Sequence, residues 1–291
     1  MKVLIIKPGA KATINLFDDV SFEISKLVTK TYSTSFSIAV SFLNDQVRKA
    51  IYGIYGFVRF ADEIVDSFDQ YDKETLLEKF ERDYYEAYTC GISLNPILNT
   101  FQAIVKRYQI PNELIQAFLN SMKADLYKTK YNSKSEIDEY IYGSADVVGL
   151  MCLKVFVNNN DALYESLKLP AKSLGSAFQK VNFLRDLKSD MEFLDRQYFP
   201  EMGNGSFDNR VKSEIIKDVE KDFLAARKGI PNLPQDAKLA VLIAFYYYKH
   251  LLRIIKLTTA SKLMATRIRV SGISKMVLLV KALAVYKLKM V

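Results

Sequence analysis

Histidine and cysteine are almost missing from this chain of 291 residues: His250 is the single histidine, and Cys90 and Cys152 are the only cysteines. Neither cysteine has a second Cys or a His at ligand spacing, which argues against a disulfide framework and a zinc site and fits a reduced, cytoplasmic setting. Long unbroken apolar runs are lacking too. The opening MKVLIIKPGAK is too short an apolar run for a signal peptide or a membrane span and has no small-residue cleavage site, so no targeting segment is expected. In the C-terminal KMVLLVKALAVYKLKM, lysines interrupt any stretch approaching the roughly 20 apolar residues that a spanning helix needs. Two readings stand for that segment, an amphipathic core helix or a helix lying on an anionic membrane, in the latter case at the inner membrane face. Clean period-two alternation bounded by turn residues is scarce. The GNG at 203–205 follows no strand and precedes no Lys-Ser/Thr, so it reads as a turn and not as a phosphate cradle, and no glycine-rich dinucleotide fingerprint occurs elsewhere. No low-complexity linker divides the chain, and residues 1–291 read as one domain.

Apolar residues recur at helical spacing through most of the sequence, and hydrophobic residues make up 49% of it, enough for a large core. The fold class is therefore all-α. Helices are expected at 17–30, 33–42, 45–68, 73–90, 96–108, 112–130, 134–158, 161–192, 208–228, 234–258 and 275–289. The seven prolines are read as falling at or near helix boundaries, and Ser206 or Asp208 as the cap of the helix that follows the PEMGNGSFDN loop. A net charge of +8 favours anionic partners. Nucleic acid is not expected among them, because the aromatics follow apolar helical faces and do not interleave with a basic stripe. His250 and the Tyr246 to Tyr248 run, on a late helix, read as packing residues.

Carboxylates are costly among apolar neighbours, so FADEIVD at 60–66 needs an explanation. On a helix, Tyr55, Arg59, Asp62 and Asp66 fall on one stripe. AFQKVNFLRDLKSDMEF at 177–193 repeats the idea: Gln179, Asn182, Asp186 and Asp190 share a face, with Arg185 about a quarter turn away. Either pair alone reads equally well as a salt-bridge ladder, Asp62 with Arg59 and Asp186 with Lys188. Together they suit another purpose. Hard oxygen donors without imidazole or thiolate select magnesium, with manganese as the alternative, and magnesium is commonly held by a few carboxylates plus phosphate oxygens. The implied partner is a diphosphate, whose remaining charge Arg59 and Arg185 can take up through forked hydrogen bonds. An apolar pocket beside it suggests a prenyl chain.

These residues resemble the squalene/phytoene synthase family over nearly the whole chain, through YSTSFSIA, RKAIYGIYGFVRFADEIVD, YIYGSADVVGLM, QKVNFLRDLKSD, RQYFP and RIRVSGISK. The resemblance implies an isoprenoid synthase fold, a single helical domain in which two aspartate-rich helices face each other across a central cavity. It implies that Asp62 and Asp66 form one metal motif and Asn182, Asp186 and Asp190 the other. Arg59, Gln179 and Arg185 match positions that contact diphosphate or polar substrate atoms, Tyr32, Ser33, Thr34 and Ser35 the segment that closes over a diphosphate, and Tyr55 and Tyr248 polar contacts near the cavity mouth. Thr34 stands where many relatives carry a basic residue. Asp146 stands where a small residue is common; on one face with Tyr142 and Gly149 it could reach the cavity, and the favoured alternative is a buried hydrogen bond to a neighbouring helix. The implied activity is head-to-head condensation of two prenyl diphosphates, with two geranylgeranyl diphosphates giving phytoene. The alternative is a farnesyl-using synthase of squalene, dehydrosqualene or presqualene diphosphate. NADPH is not expected to take part, and the sequence leaves the oligomeric state open.

Overall fold

A computed structural model describes residues 10–203 and 207–290, with side chains from Ile14 onward. Among the described residues there is no strand, only a single bridge between Lys130 and Gln197. The α-helices are α1 (Ala10–Tyr32), α2 (Thr34–Val40), α3 (Asp45–Ser67), α4 (Lys73–Cys90), α5 (Pro96–Tyr108), α6 (Asn112–Ala124), α7 (Lys134–Ile141), α8 (Val147–Val157), α9 (Asp161–Glu192), α10 (Asn209–Arg227), α11 (Gln235–Leu257), α12 (Ala260–Ala265) and α13 (Gly272–Lys287). Short polar side chains start many of them by accepting otherwise orphaned backbone N–H groups: Asn44 for α3, Asp72 for α4, Asn160 for α9 and Asp208 for α10. Of the two expected caps for α10, Asp208 is the one observed, and Ser206 lies outside the described residues.

Two packed clusters fill the interior. In the first, helices α3 to α6 and α8 meet around Phe57, which is fully buried and stacks on Phe101 with ring centroids 3.8 Å apart. The second lies around α9, α10 and α11, where Phe183 stacks on Tyr198 at 3.8 Å. Helix α9 packs against α8 on one side and α10 on the other, so it stands between the clusters.

Four expectations about elements need correction. The helix expected over 112–130 stops at Ala124, because the chain turns through Lys128 and then pairs with the 196–198 segment, where Gln197 N donates to the Thr129 carbonyl at 2.7 Å. The helix expected over 134–158 is interrupted by a π turn at Tyr142–Asp146. Backbones approach closely on both sides of that turn. A Cβ on Gly143 would collide with Ser121 on α6, and one on Gly175 of α9 would lie 2.9 Å from the Ala145 carbonyl oxygen. The wide turn draws the chain between its two neighbours and breaks the straight-helix phase. Pro170 is no boundary residue but sits inside α9, with its ring against Gly229. Helix α12 was not expected at all; it is a six-residue turn started by Thr259.

The longest apolar stretch, Lys134–Val157, is long and apolar enough to cross a membrane, but it is interior here, packed against α3, α6 and α9. Along α8, Val148, Cys152 and Phe156 nevertheless keep accessible surface. Burial pushes the Cys152 thiol up to about 12.

Candidate active site

Helix α3 presents Tyr55, Arg59, Asp62 and Asp66 as half-buried residues among the buried Ile54, Phe57, Ala61 and Val65. The Arg59 Nη1 donates to Asp62 Oδ2 at 2.7 Å, and its other terminal nitrogen pairs with Glu63. Its Nε is buried and has no hydrogen-bond partner among the described residues, a donor left for an anionic oxygen. The Tyr32 ring covers the guanidinium at 4.4 Å. Ser33 lies beside the Tyr55 hydroxyl, and Phe36 stacks on the Tyr55 ring at 5.2 Å, so the α1–α2 junction closes against this part of α3. Thr34 is exposed and Ser35 half-buried, and neither makes a side-chain hydrogen bond among the described residues.

Helix α9 supplies the second group. Arg185 folds back so that its Nε donates to Asp186 Oδ1 at 3.0 Å. Arg267, from the segment between α12 and α13, reaches the same carboxylate at 2.6 Å. Lys188, the partner considered from sequence, instead faces Glu192. Asn182 accepts a hydrogen bond from the Tyr248 hydroxyl of α11 at 3.2 Å, and Phe178 stacks on the Tyr248 ring at 3.9 Å. Gln179 points toward Ser144 of the π turn, 3.5 Å away.

Electrostatics join the two helices. Burial first, and then the Asp66 charge, push the Asp62 carboxyl up to about 6. Burial pushes Asp190 up to about 7, helped by the charges of both Asp186 on its own helix and Asp66 on α3. Burial raises the phenols of both Tyr55 on α3 and Tyr248 on α11, and Tyr248 adds a smaller push to Tyr55. The two aspartate motifs thus share one electrostatic field, as two unrelated surface ladders would not.

Arg196, of the RQYFP motif, has no role assignable from sequence, yet it ties the two motifs together. Only 6% exposed, it donates from Nη1 to Asp66 Oδ1 at 2.7 Å and from Nη2 to the Asp125 carbonyl at 3.2 Å, while its backbone N–H donates to the Asp190 carbonyl at 2.8 Å. Asp125 beneath it accepts from the Tyr140 hydroxyl at 2.9 Å and is pushed up to about 7 by burial. The only sequence signal for this knot is a basic residue beside an aromatic pair. Asp146 behaves as a buried hydrogen-bonding group: Ser176 of α9 donates to it at 2.7 Å, and burial raises it to about 6.

The described residues do not bring three carboxylate, thiol or imidazole groups to one point. Asp62, Asp66 and Asp186 are held instead by Arg59, by Arg196, and by Arg185 with Arg267, respectively. The donor set is nonetheless hard oxygen throughout, and two of its carboxyls, Asp62 and Asp190, are raised by burial and by the charges of neighbouring aspartates, the strain that a divalent cation relieves.

The family model for squalene/phytoene synthase matches residues 29–273. The chain belongs to the squalene/phytoene synthase family. It is 28% identical over 280 residues to the 15-cis-phytoene synthase of Synechocystis, covering 86% of this chain and 80% of that protein. It is equally 28% identical, over 207 residues, to the 4,4'-diapophytoene synthase of Staphylococcus haemolyticus, covering 69% of this chain and 70% of that one. Against the chloroplastic phytoene synthase 1 of Zea mays it is 26% identical over 242 residues and spans 59% of the maize protein's length. Among solved structures, a dehydrosqualene synthase superposes with a TM-score of 0.80 at 21% identity, covering 93% of this chain and 98% of that one. A squalene synthase from Alicyclobacillus acidocaldarius gives 0.73 at 19% identity, covering 83% and 95%. The fold is that of the isoprenoid synthases in this family, and the chain is of a prenyltransferase type.

Proposed function

We propose that this protein joins two identical prenyl diphosphates head to head, using two geranylgeranyl diphosphates to make phytoene for carotenoid synthesis. The observation that carries this reading is the Arg196 link between the two motifs, whose side chain donates to Asp66 of α3 and whose backbone N–H donates to the Asp190 carbonyl of α9. Asp62, Asp66, Asn182, Asp186 and Asp190 would hold magnesium or manganese, which when bound supplies positive charge to a departing diphosphate. Arg59 and Arg185 bind the diphosphate oxygens, with the free Arg59 Nε available as a donor. Tyr32, Ser33, Thr34 and Ser35 close the α1–α2 junction over it. Tyr55, Gln179 and Tyr248 orient the polar end of the substrate, and the α8 stripe through Cys152 borders the prenyl chain and keeps water from it.

In the reaction the first allylic diphosphate loses its leaving group, the double bond of the second molecule attacks the allylic cation, and loss of a proton from the resulting cation closes the ring of a cyclopropylcarbinyl diphosphate. A second loss of diphosphate, rearrangement and loss of a proton give phytoene without NADPH. A second reading has its own support: the diapophytoene synthase relative matches as well as the cyanobacterial phytoene synthase. It makes the substrate farnesyl diphosphate. We place the enzyme in the cytoplasm, peripherally at the inner face of the membrane.

Incubating the purified protein with magnesium and each diphosphate, with and without NADPH, tests the choice by chromatography and mass detection. Phytoene from geranylgeranyl diphosphate, unchanged by NADPH, is expected. Exclusive use of farnesyl diphosphate, or a product whose hydrogen count shifts with NADPH, overturns it in favour of the second reading.

A further inference from the structure

The positive charge of this protein is not spread along it. After Asp236 the chain contains no acidic residue, yet it holds eleven of the 41 basic ones, so the preceding residues carry more acidic than basic side chains. Within this all-basic stretch lies α13. Its inner side, with Leu279, Ala282, Val285 and Tyr286, packs on the second cluster. Its outer side exposes Ile273 at 80%, Met276 at 63%, Val277 at 61% and Val280 at 58%. Steps of three, four and seven residues put these four on one stripe, and the exposed Lys281 and Lys287 flank it. A lone exposed apolar residue is unremarkable in a folded protein, but four in register on one helix face, covered by no other described element, are not.

We infer that the outer face of α13 is the surface by which this protein docks on an anionic lipid bilayer, with Ile273, Met276, Val277 and Val280 entering the interface and Lys281 and Lys287 meeting the headgroups. This deepens the peripheral location proposed above by assigning it a surface. The charge pattern selects the occupant. A second copy of the chain would set one all-basic face against another, whereas anionic headgroups complement it. At 16 residues α13 is too short to cross a bilayer and suited to lying in its surface. The docked face also connects to the site, since the segment entering α13 carries Arg267, which holds Asp186, and Ile268, whose N–H donates to the Arg185 carbonyl at 3.4 Å. A lipid-dissolved substrate would therefore arrive beside the rim residues of α9.

The chain contains no tryptophan, so Val277→Trp introduces a single reporter. With the full chain and phosphatidylcholine vesicles containing phosphatidylglycerol, its emission should shift to the blue and be quenched by brominated acyl chains. A Leu94→Trp reporter, on the 93% exposed loop position between α4 and α5, should show neither. In co-sedimentation, Met276→Glu with Val280→Glu should weaken binding at least about tenfold, and each of Lys281→Glu and Lys287→Glu by roughly fivefold or more, given the pull of an anionic surface on one lysine. Turnover on detergent-dispersed substrate should be unchanged in all four substitutions, which separates docking from catalysis. Undiminished binding by the folded Met276→Glu/Val280→Glu protein, or an unshifted Val277→Trp spectrum on vesicles, overturns the inference. So does a concentration-dependent dimer that these two substitutions abolish in a protein that ignores vesicles.

Discussion

The aspartate pairs of α3 and α9 share a spacing but are held differently. On α3 the first carboxylate, Asp62, has a partner one turn away in Arg59, while the second, Asp66, is held by Arg196 from far along the chain. On α9 the order is reversed. The first, Asp186, is gripped by its neighbour Arg185 and by the distant Arg267, and the second, Asp190, is paired with no cation among the described residues and is raised by burial and two neighbouring charges. Each helix thus offers one carboxyl pinned by a long-range arginine and one whose carboxyl is raised. Arginines that pin the outer charges let two negative motifs approach within a folded protein, and the raised carboxyls remain as the groups whose charge a bound cation would stabilise.

The largest effect is expected on turnover. Asp62→Asn and Asp186→Asn keep size and remove a charge, one from each motif, and each should lower turnover on the order of a hundredfold or more while circular dichroism shows an intact helical fold. A large loss in one variant with near-normal turnover in the other would break the equivalence of the two motifs.

Arg196 sharpens the contrast through stability. Arg196→Met leaves Asp66 and the buried Asp125 without their cation and should destabilise the protein by about 3–5 kcal/mol in denaturant melts. Adding Asp125→Asn, which removes the buried charge, should recover part of that loss. If the double variant is no more stable than the single one, Arg196 acts by packing and not as a counter-ion.

A smaller effect separates the pinned carboxyl from the raised one. Because the folded state raises Asp190 to about 7 and Asp62 to about 6, these two groups hold more protons in the native protein than in the unfolded chain between about pH 4 and 7. Their contribution to stability therefore declines as pH rises through that window. Asp190→Asn should accordingly raise the metal-free melting temperature at pH 8 and change it little at pH 5, whereas Asp66→Asn, which strands Arg196, should lower it at both. Magnesium should flatten the wild-type slope. An Asp190→Asn protein with an unchanged or lower melting temperature at pH 8 would remove the distinction.

What could be read from the sequence follows the reach of each interaction. Helices α3, α4, α5 and α9 stood out because apolar periodicity and capping side chains act within a few residues, and the Arg59–Asp62 pair lies one turn apart. The family motifs carried the choice of Asp62, Asp66, Asp186 and Asp190. Arg196 and Arg267 could not be placed in the same way, since their partners lie 130 and 81 residues away and depend on how loops cross. The π turn at Tyr142–Asp146 escaped for a related reason: it is set by how closely α6 and α9 approach Gly143 and Ala145, which no local pattern encodes. Pro170 misled because a proline inside a long helix is tolerated where its neighbours compensate.

Calorimetric titration of inorganic diphosphate into the purified protein tests most directly whether the two helices form one metal-dependent site. Binding is expected in the presence of magnesium, absent in EDTA, and lost in both Asp62→Asn and Asp186→Asn. Equal affinity in EDTA, or retention of magnesium-dependent binding by either variant, would contradict a site shared between α3 and α9.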